Sequence, residues 1–170
     1  MATDTVTDVN LFAAFRYGLG YPDVERLQFL REVTEATPET LADLQTLYMR
    51  LFEAGLPHPQ CPLLESHYVS NRPAGEVVLE NKLFYQHFGL QVDSQAAPDH
   101  LLTQLEFLSW IEHCLAAGNP DPASLERVRK DFVARHLAPW IRQAARLARR
   151  AEGGCYADLL ESLSEELTRR

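Results

Sequence analysis

The chain is poor in cysteine: it has only Cys61, Cys114 and Cys155, far apart in sequence. An odd number with no C-x-x-C pair indicates neither a disulfide framework nor a zinc knuckle, and the three read as reduced thiols of a cytoplasmic protein. No uninterrupted apolar run approaches the ~18 residues of a membrane-spanning helix. The first eight residues carry two acids, no basic segment and no apolar run, so they are not read as a signal peptide. The phosphate-cradling patterns G-x-x-x-x-G-K-[ST] and G-x-G-x-x-G are missing, which leaves nucleotide binding without sequence support. G-x-S-x-G and H-E-x-x-H are missing too, and with them the usual signatures of a serine hydrolase or a zinc protease. His58, Cys61 and His67 are metal-ligating types, but their spacing fits no zinc pattern. No segment alternates with period two, so no strand is predicted, and there is no internal repeat.

Positive charge is scarce in the first two-thirds. Residues 1–121 hold 6 Lys and Arg against 17 Asp and Glu, a net −11; residues 122–152 hold 8 against 3, a net +5; the whole chain is −8. Such a distribution disfavours nucleic acid, whose phosphates demand the opposite sign. It favours a basic peptide or protein, chiefly by speeding encounter. With 46% hydrophobic residues in 170, the chain suffices for one domain that buries about 70% of its unfolded surface.

What is present is helical periodicity. The chain is organised around residues 97–111, A-P-D-H-L-L-T-Q-L-E-F-L-S-W-I. Pro98 suits the first helical position, with Asp99 and His100 beside the free N–H groups of that terminus. Leu101, Leu105, Leu108, Ile111 and Leu115 form a core stripe. A second line, Asp99–Thr103–Glu106–Trp110–His113, runs along another face and is polar with one large aromatic, a surface on which a groove can be built. Earlier, residues 8–20 place Leu11, Phe12, Phe15 and Leu19 on one face. Val24, Leu27, Leu30 and Val33 follow, and then a third helix through Leu41, Leu44, Tyr48 and Leu51, with Thr37 as its cap and Pro38 first. These three helices read as scaffold. Pro57, Pro59 and Pro62 make a stiff extended connection. Residues 76–90 return to helix through Val77, Val78, Leu83, Phe84, Phe88 and Leu90. Leu125, Val128 and Phe132 mark a helix over 123–136. Arg142, Arg146 and Arg149 form a basic stripe on the next, and Tyr156, Leu159, Leu160, Leu163 and Leu167 mark the last. The fold class is all-α: one domain over 1–170, a bundle of about eight helices.

Pro98-Asp99-His100 followed by L-x-x-x-L-E-F-L-S resembles the motif helix of the redox-enzyme maturation chaperones, the TorD/DmsD/NarJ-like family. Glu65-Ser66-His67-Tyr68 resembles the family's Glu-Ser-aromatic signature after a proline-rich loop. Tyr85-x-x-Phe88-Gly89-Leu90 and His136-Leu137-Ala138-Pro139-Trp140 match further family segments. L-E-F-L-S is closer to the nitrate reductase and type II dimethyl-sulfoxide-reductase branch. The resemblance implies a TorD-like fold and a cytoplasmic, non-catalytic chaperone. Its partners would be the apo form and N-terminal leader of a molybdoenzyme catalytic subunit, and molybdenum-cofactor biosynthesis proteins, with cofactor insertion completed before twin-arginine export or membrane docking. It implies no cofactor or metal of the chaperone's own. The expected leader site is a groove lined by Tyr68, Phe107 and Trp110, with Glu65, Asp99 and Glu106 facing the leader's basic end and His100 orienting the helix terminus or bonding the client backbone. Two other readings stay open: a helical adaptor for an unrelated partner, and a metal-dependent enzyme using Asp99, His100, Glu106 and His113. Against the enzyme, His100 and His113 would lie about 20 Å apart along one helix, and the consecutive Asp99 and His100 side chains would diverge by about 100°.

Overall fold

The computed structural model describes residues 10–169; the opening residues read above against a signal peptide, and positions 8 and 9 of the first helix, lie outside them. Among the described residues there are helices and no strands: α1 (Leu11–Gly18), α2 (Val24–Val33), α3 (Leu41–Tyr48), α4 (Glu65–Tyr68), α5 (Ala74–His87), α6 (Leu101–Ala116), α7 (Pro122–Phe132), α8 (Ala138–Arg150) and α9 (Gly154–Arg169). Setting aside the single turn α4, eight helices remain, as the periodicity predicts. π turns extend α3 over Met49–Glu53 and join α7 to α8 over Val133–Leu137.

Side-chain acceptors start many of the helices. Asn10, Asp23, Thr40 and Asp121 accept from the backbone N–H groups of Ala13, Arg26, Asp43 and Ser124, each satisfying a donor that has no intrahelical partner. The third helix is therefore capped by Thr40, not Thr37, whose hydroxyl pairs with that of Thr34 at 2.7 Å. The central helix starts at Leu101, not Pro98, because His100 is its cap: its Nδ1 accepts from Leu102 N–H at 3.1 Å.

The α8–α9 hairpin is the middle of the core. Trp140, Ile141, Ala144, Ala145 and Ala148 of α8 and Tyr156, Leu160 and Leu163 of α9 are buried. Tyr48, Phe52 and Tyr156 meet edge to face at 5.1–5.6 Å, the arrangement that ring quadrupoles favour. Leu101, Leu105, Leu108 and Ile111 are fully buried as one stripe, and Leu115 packs at its edge. The predicted stripe of α2 is only half correct: Leu27 and Leu30 are buried, but Val24 and Val33 lie at the helix ends, 58% and 50% exposed. On α5 the inward line is Val77–Asn81–Tyr85, leaving Leu83 exposed. A polar residue in the middle of that line hid it from a hydrophobicity reading. No described helix is long and apolar enough to cross a membrane.

Candidate functional site

Amphipathic geometry leaves a groove between α1 and α6. Phe12, Phe15 and Leu19 turn into the core, so Ala13, Arg16 and Tyr17, at helical spacing on α1, border a space beside α6, together with Gly20 of the turn that follows. The core stripe of α6 likewise leaves Thr103, Glu106, Trp110 and His113 to border the same space, with Phe107 at its base. Leu90 and Val92, in the loop after α5, close one side. The groove encloses about 950 Å³, at the upper end of ordinary ligand pockets. Phe107 and Trp110 lie nearly parallel, 6.2 Å apart at 11°. Arg16 spans from α1 to α6 and bonds Glu106 at 3.1 Å.

A second polar centre lies beneath α4. Glu65 is fully buried and accepts from Asn81 Nδ2 (2.7 Å), Gln104 Nε2 (2.7 Å) and His136 Nδ1 (3.0 Å). These partners come from α5, α6 and the π turn before α8, so one carboxylate joins four elements. Arg72 reaches within 3.9 Å of it while bonding Glu80 at 2.5 Å. His136 directs its other nitrogen, Nε2, toward Glu80 at 4.0 Å, and its carbonyl accepts from Trp140 Nε1 at 2.6 Å.

Asp99, 2% exposed, caps α4: its Oδ2 accepts from Ser66 N–H (3.1 Å) and its carbonyl from Glu65 N–H (3.0 Å). Leu101 N–H donates to Leu63 carbonyl at 2.9 Å, completing the joint between the α4 entry and the α6 start. Burial depresses the pKa of His100, partly offset by the charge of Asp99. Tyr68 stacks on Trp140 at 5.1 Å and donates to the Pro62 carbonyl at 2.9 Å, and burial raises its phenol pKa. Cys61 Sγ bonds the Ala144 carbonyl at 3.3 Å, and burial pushes its thiol up to about 11.

Of the seven residues named for the leader site, the six expected to line the groove or face the leader's basic end are divided; His100, expected to orient the helix terminus or bond the client backbone, orients that terminus as the cap of α6. Glu106, Phe107 and Trp110 border the α1–α6 groove. Glu65, Asp99, His100 and Tyr68 build the joint behind it, and for Glu65 and Asp99 burial rules out direct contact with a peptide in this conformation. Asp99, expected on one helical line with Thr103 and Glu106, precedes the cap of α6, and its carboxylate turns to a free N–H group of α4. The α1 wall escaped the sequence reading; the signal was a second periodic face, Ala13–Arg16–Tyr17. Asn81, Gln104 and His136 also escaped it, since a polar residue within a helix reads as surface until its partners are known. His58 and His67 come together, ring centres 4.5 Å apart, while Cys61 turns into the core. Among the described residues no group of three or more His, Cys, Asp or Glu is placed to hold a metal ion.

Residues 21–146 match the family model described as nitrate reductase delta subunit. The chain is 30% identical over 165 residues to the perchlorate reductase assembly chaperone protein of Dechloromonas aromatica (strain RCB), covering 77% of this chain and 73% of that one. It is 32% identical over 163 residues to the selenate reductase assembly chaperone protein of Thauera selenatis, covering 91% and 82%. Its fold matches the crystal structure of a protein from Archaeoglobus fulgidus described as a candidate redox enzyme maturation protein, with a TM-score of 0.64 at 21% identity over 94% of this chain and 93% of that one.

Proposed function

Given that the chain belongs to the nitrate reductase delta subunit family, we propose that it is a non-catalytic assembly chaperone for the catalytic subunit of a molybdenum-containing reductase or dehydrogenase. It holds that subunit's N-terminal leader in the α1–α6 groove until the cofactor is in place, and it acts in the cytoplasm. The observation that carries the reading is the likeness to reductase assembly chaperones over most of both chains. The groove supplies a seat of the right chemistry, with aromatic walls and an acid at its edge.

Magnitudes decide which contacts matter. Micromolar binding needs about 8 kcal/mol, and an exposed ion pair contributes only ~0–1 kcal/mol. Apolar burial must carry most of the affinity. At roughly 25 cal/mol per Å², and after association costs of about 4–15 kcal/mol, this means on the order of 500–900 Å² of apolar surface. Trp110, Tyr17 and Leu90 are the residues placed to bury it, over the already buried Phe107. Glu106 then sets orientation and selectivity rather than strength. Glu65, Asp99, His100 and Tyr68 act indirectly, by fixing where α6 begins and how α4 lies against it.

The experiment is affinity purification of the tagged chain from its own host, with mass spectrometry of the co-eluting proteins. A molybdoenzyme catalytic subunit that no longer co-elutes when its leader is deleted supports the reading. If that enzyme is expressed yet never co-elutes, even from cofactor-starved cells, the chaperone reading fails and a helical adaptor takes its place.

A further inference from the structure

Arg16 and Glu106 form a contact whose chemistry suits the groove's ligand better than it suits the fold. They join α1 to α6 at 3.1 Å, yet their side chains are 47% and 64% exposed. Such a pair adds little to stability, and Asn10 Nδ2 already ties α1 to α6 through the Ser109 carbonyl at 2.8 Å. The other charged groups bordering the groove are committed locally. Arg26 bonds the Asp23 carboxylate and the Tyr17 carbonyl and lies 4.6 Å over the Tyr17 ring. Asp93 accepts from Gln95 N–H within its own turn. Glu106 therefore offers a carboxylate at the groove edge, one helical turn from the Trp110 ring. Carboxylate and aromatic face together are what a guanidinium selects, by forked hydrogen bonds and stacking, over a point-like ammonium.

We infer that Arg16 is an internal stand-in for an arginine of the bound peptide. It fills the Glu106 seat in the free protein and is displaced when a peptide with arginine beside an apolar segment enters. The inference rests on the groove reading above and adds the side-chain class recognised and the competitor that tunes it. The groove's own lining is balanced, with Arg16 and Arg26 against Asp93 and Glu106, so displacing Arg16 is what leaves an acidic seat for a cationic occupant. Displacement makes the groove selective: an arginine peptide replaces the bond it breaks, whereas a neutral one does not.

The test uses a fluorescently labelled peptide with two arginines ahead of an apolar helical segment, and a twin with citrulline, the uncharged isostere, at both positions. Anisotropy titrations at one ionic strength compare the wild-type chain with Arg16→Gln, Glu106→Gln and, as a control outside the groove lining, Arg142→Gln. Arg16→Gln is expected to bind both peptides about three- to fivefold tighter, the factor an exposed ion pair carries, because neither then has to break the Arg16–Glu106 bond, and to keep the preference for arginine. Glu106→Gln is expected to erase the preference for arginine over citrulline, and Arg142→Gln to match wild type. If Arg16→Gln weakens binding of the arginine peptide or leaves it unchanged while both peptides still bind, Arg16 is a contact or a bystander and this inference alone falls. If neither peptide binds any of the proteins, the groove reading falls with it.

Discussion

Three side-chain N–H groups converge on the buried carboxylate of Glu65, and this pattern separates a residue that holds the site from one that touches the ligand. Removing one partner of a buried charged network strands the others, which typically costs about 3–5 kcal/mol. Glu65→Ala is accordingly expected to lower the urea-unfolding free energy by about that amount. Glu65→Gln, which keeps an acceptor but brings an N–H donor among donors, should fall in between. The folded fraction of either variant should keep its leader affinity; a lost affinity with undiminished stability would return Glu65 to the contact surface. His100 gives a residue-scale prediction with a pH signature. Burial holds its folded pKa below the ordinary 6.5, against the charge of Asp99, and Nδ1 must stay unprotonated to accept from Leu102 N–H. The unfolded chain then takes up the proton first, so the cap's contribution is complete above about pH 6.5 and is lost as pH falls through the folded value. Asparagine also caps but does not titrate. The urea midpoint of wild type should therefore drop relative to that of His100→Asn between about pH 8 and about pH 5, whereas His100→Ala should cost about 0.5–2 kcal/mol at neutral pH. Parallel pH profiles for wild type and His100→Asn would show that the imidazole does not act as the cap.

At the scale of elements, what was legible followed from periodicity, and what was not followed from partners distant in sequence. The apolar line Leu101–Leu105–Leu108–Ile111 and the polar line through Thr103, Glu106 and Trp110 can be read off α6 alone, because a 3.6-residue period separates the two faces. A groove needs a second wall, and α1 lies about 90 residues away in the chain; nothing local marks Ala13, Arg16 and Tyr17 as its other side. The same holds for Asp99, whose carboxylate was assigned to a ligand but is bound by Ser66 N–H across 33 residues of sequence. His136 comes inward on a π turn, which widens the helix where hydrophobic spacing predicts an ordinary one. The break between α8 and α9, by contrast, is marked by the adjacent glycines Gly153 and Gly154 themselves, and the structure supplies its cause. Gly154 has φ +51°, and a Cβ there would lie 2.7 Å from the Ala36 carbonyl oxygen, which accepts from Cys155 N–H. Gly118 also has positive φ (+76°) but no atom within 4 Å of such a Cβ. Gly118→Ala should therefore cost only the left-handed penalty of about 1–2 kcal/mol, and Gly154→Ala measurably more, since the α8–α9 hairpin must shift as well. Equal losses in thermal or urea unfolding would mean that the turn relaxes freely and that Ala36 does not pin it.

For the whole molecule, the net charge of −8 conceals a sequence divided by sign, −11 over residues 1–121 and +5 over residues 122–152. The groove is built from the acidic stretch, whereas α8 displays Arg142 and Arg146 on its exposed face; Arg149, expected in the same stripe, is instead engaged by Asp158 and Glu161 of α9 at 2.7 and 2.5 Å. Long-range attraction acts on encounter more than on the lifetime of a complex whose affinity comes from apolar burial. Raising ionic strength from about 0.05 M to about 0.5 M shortens the Debye length from over 10 Å to under 5 Å. Stopped-flow association of an arginine-bearing leader should then slow by about an order of magnitude, while its dissociation rate changes little. Arg142→Gln combined with Arg146→Gln makes the molecule more acidic at positions outside the groove lining, so it should speed association only slightly and leave dissociation unchanged. A dissociation rate that rises with salt as steeply as the association rate falls would put ion pairs, not burial, at the centre of the affinity. The leader's apolar segment would then have to lie outside the Phe107–Trp110 wall.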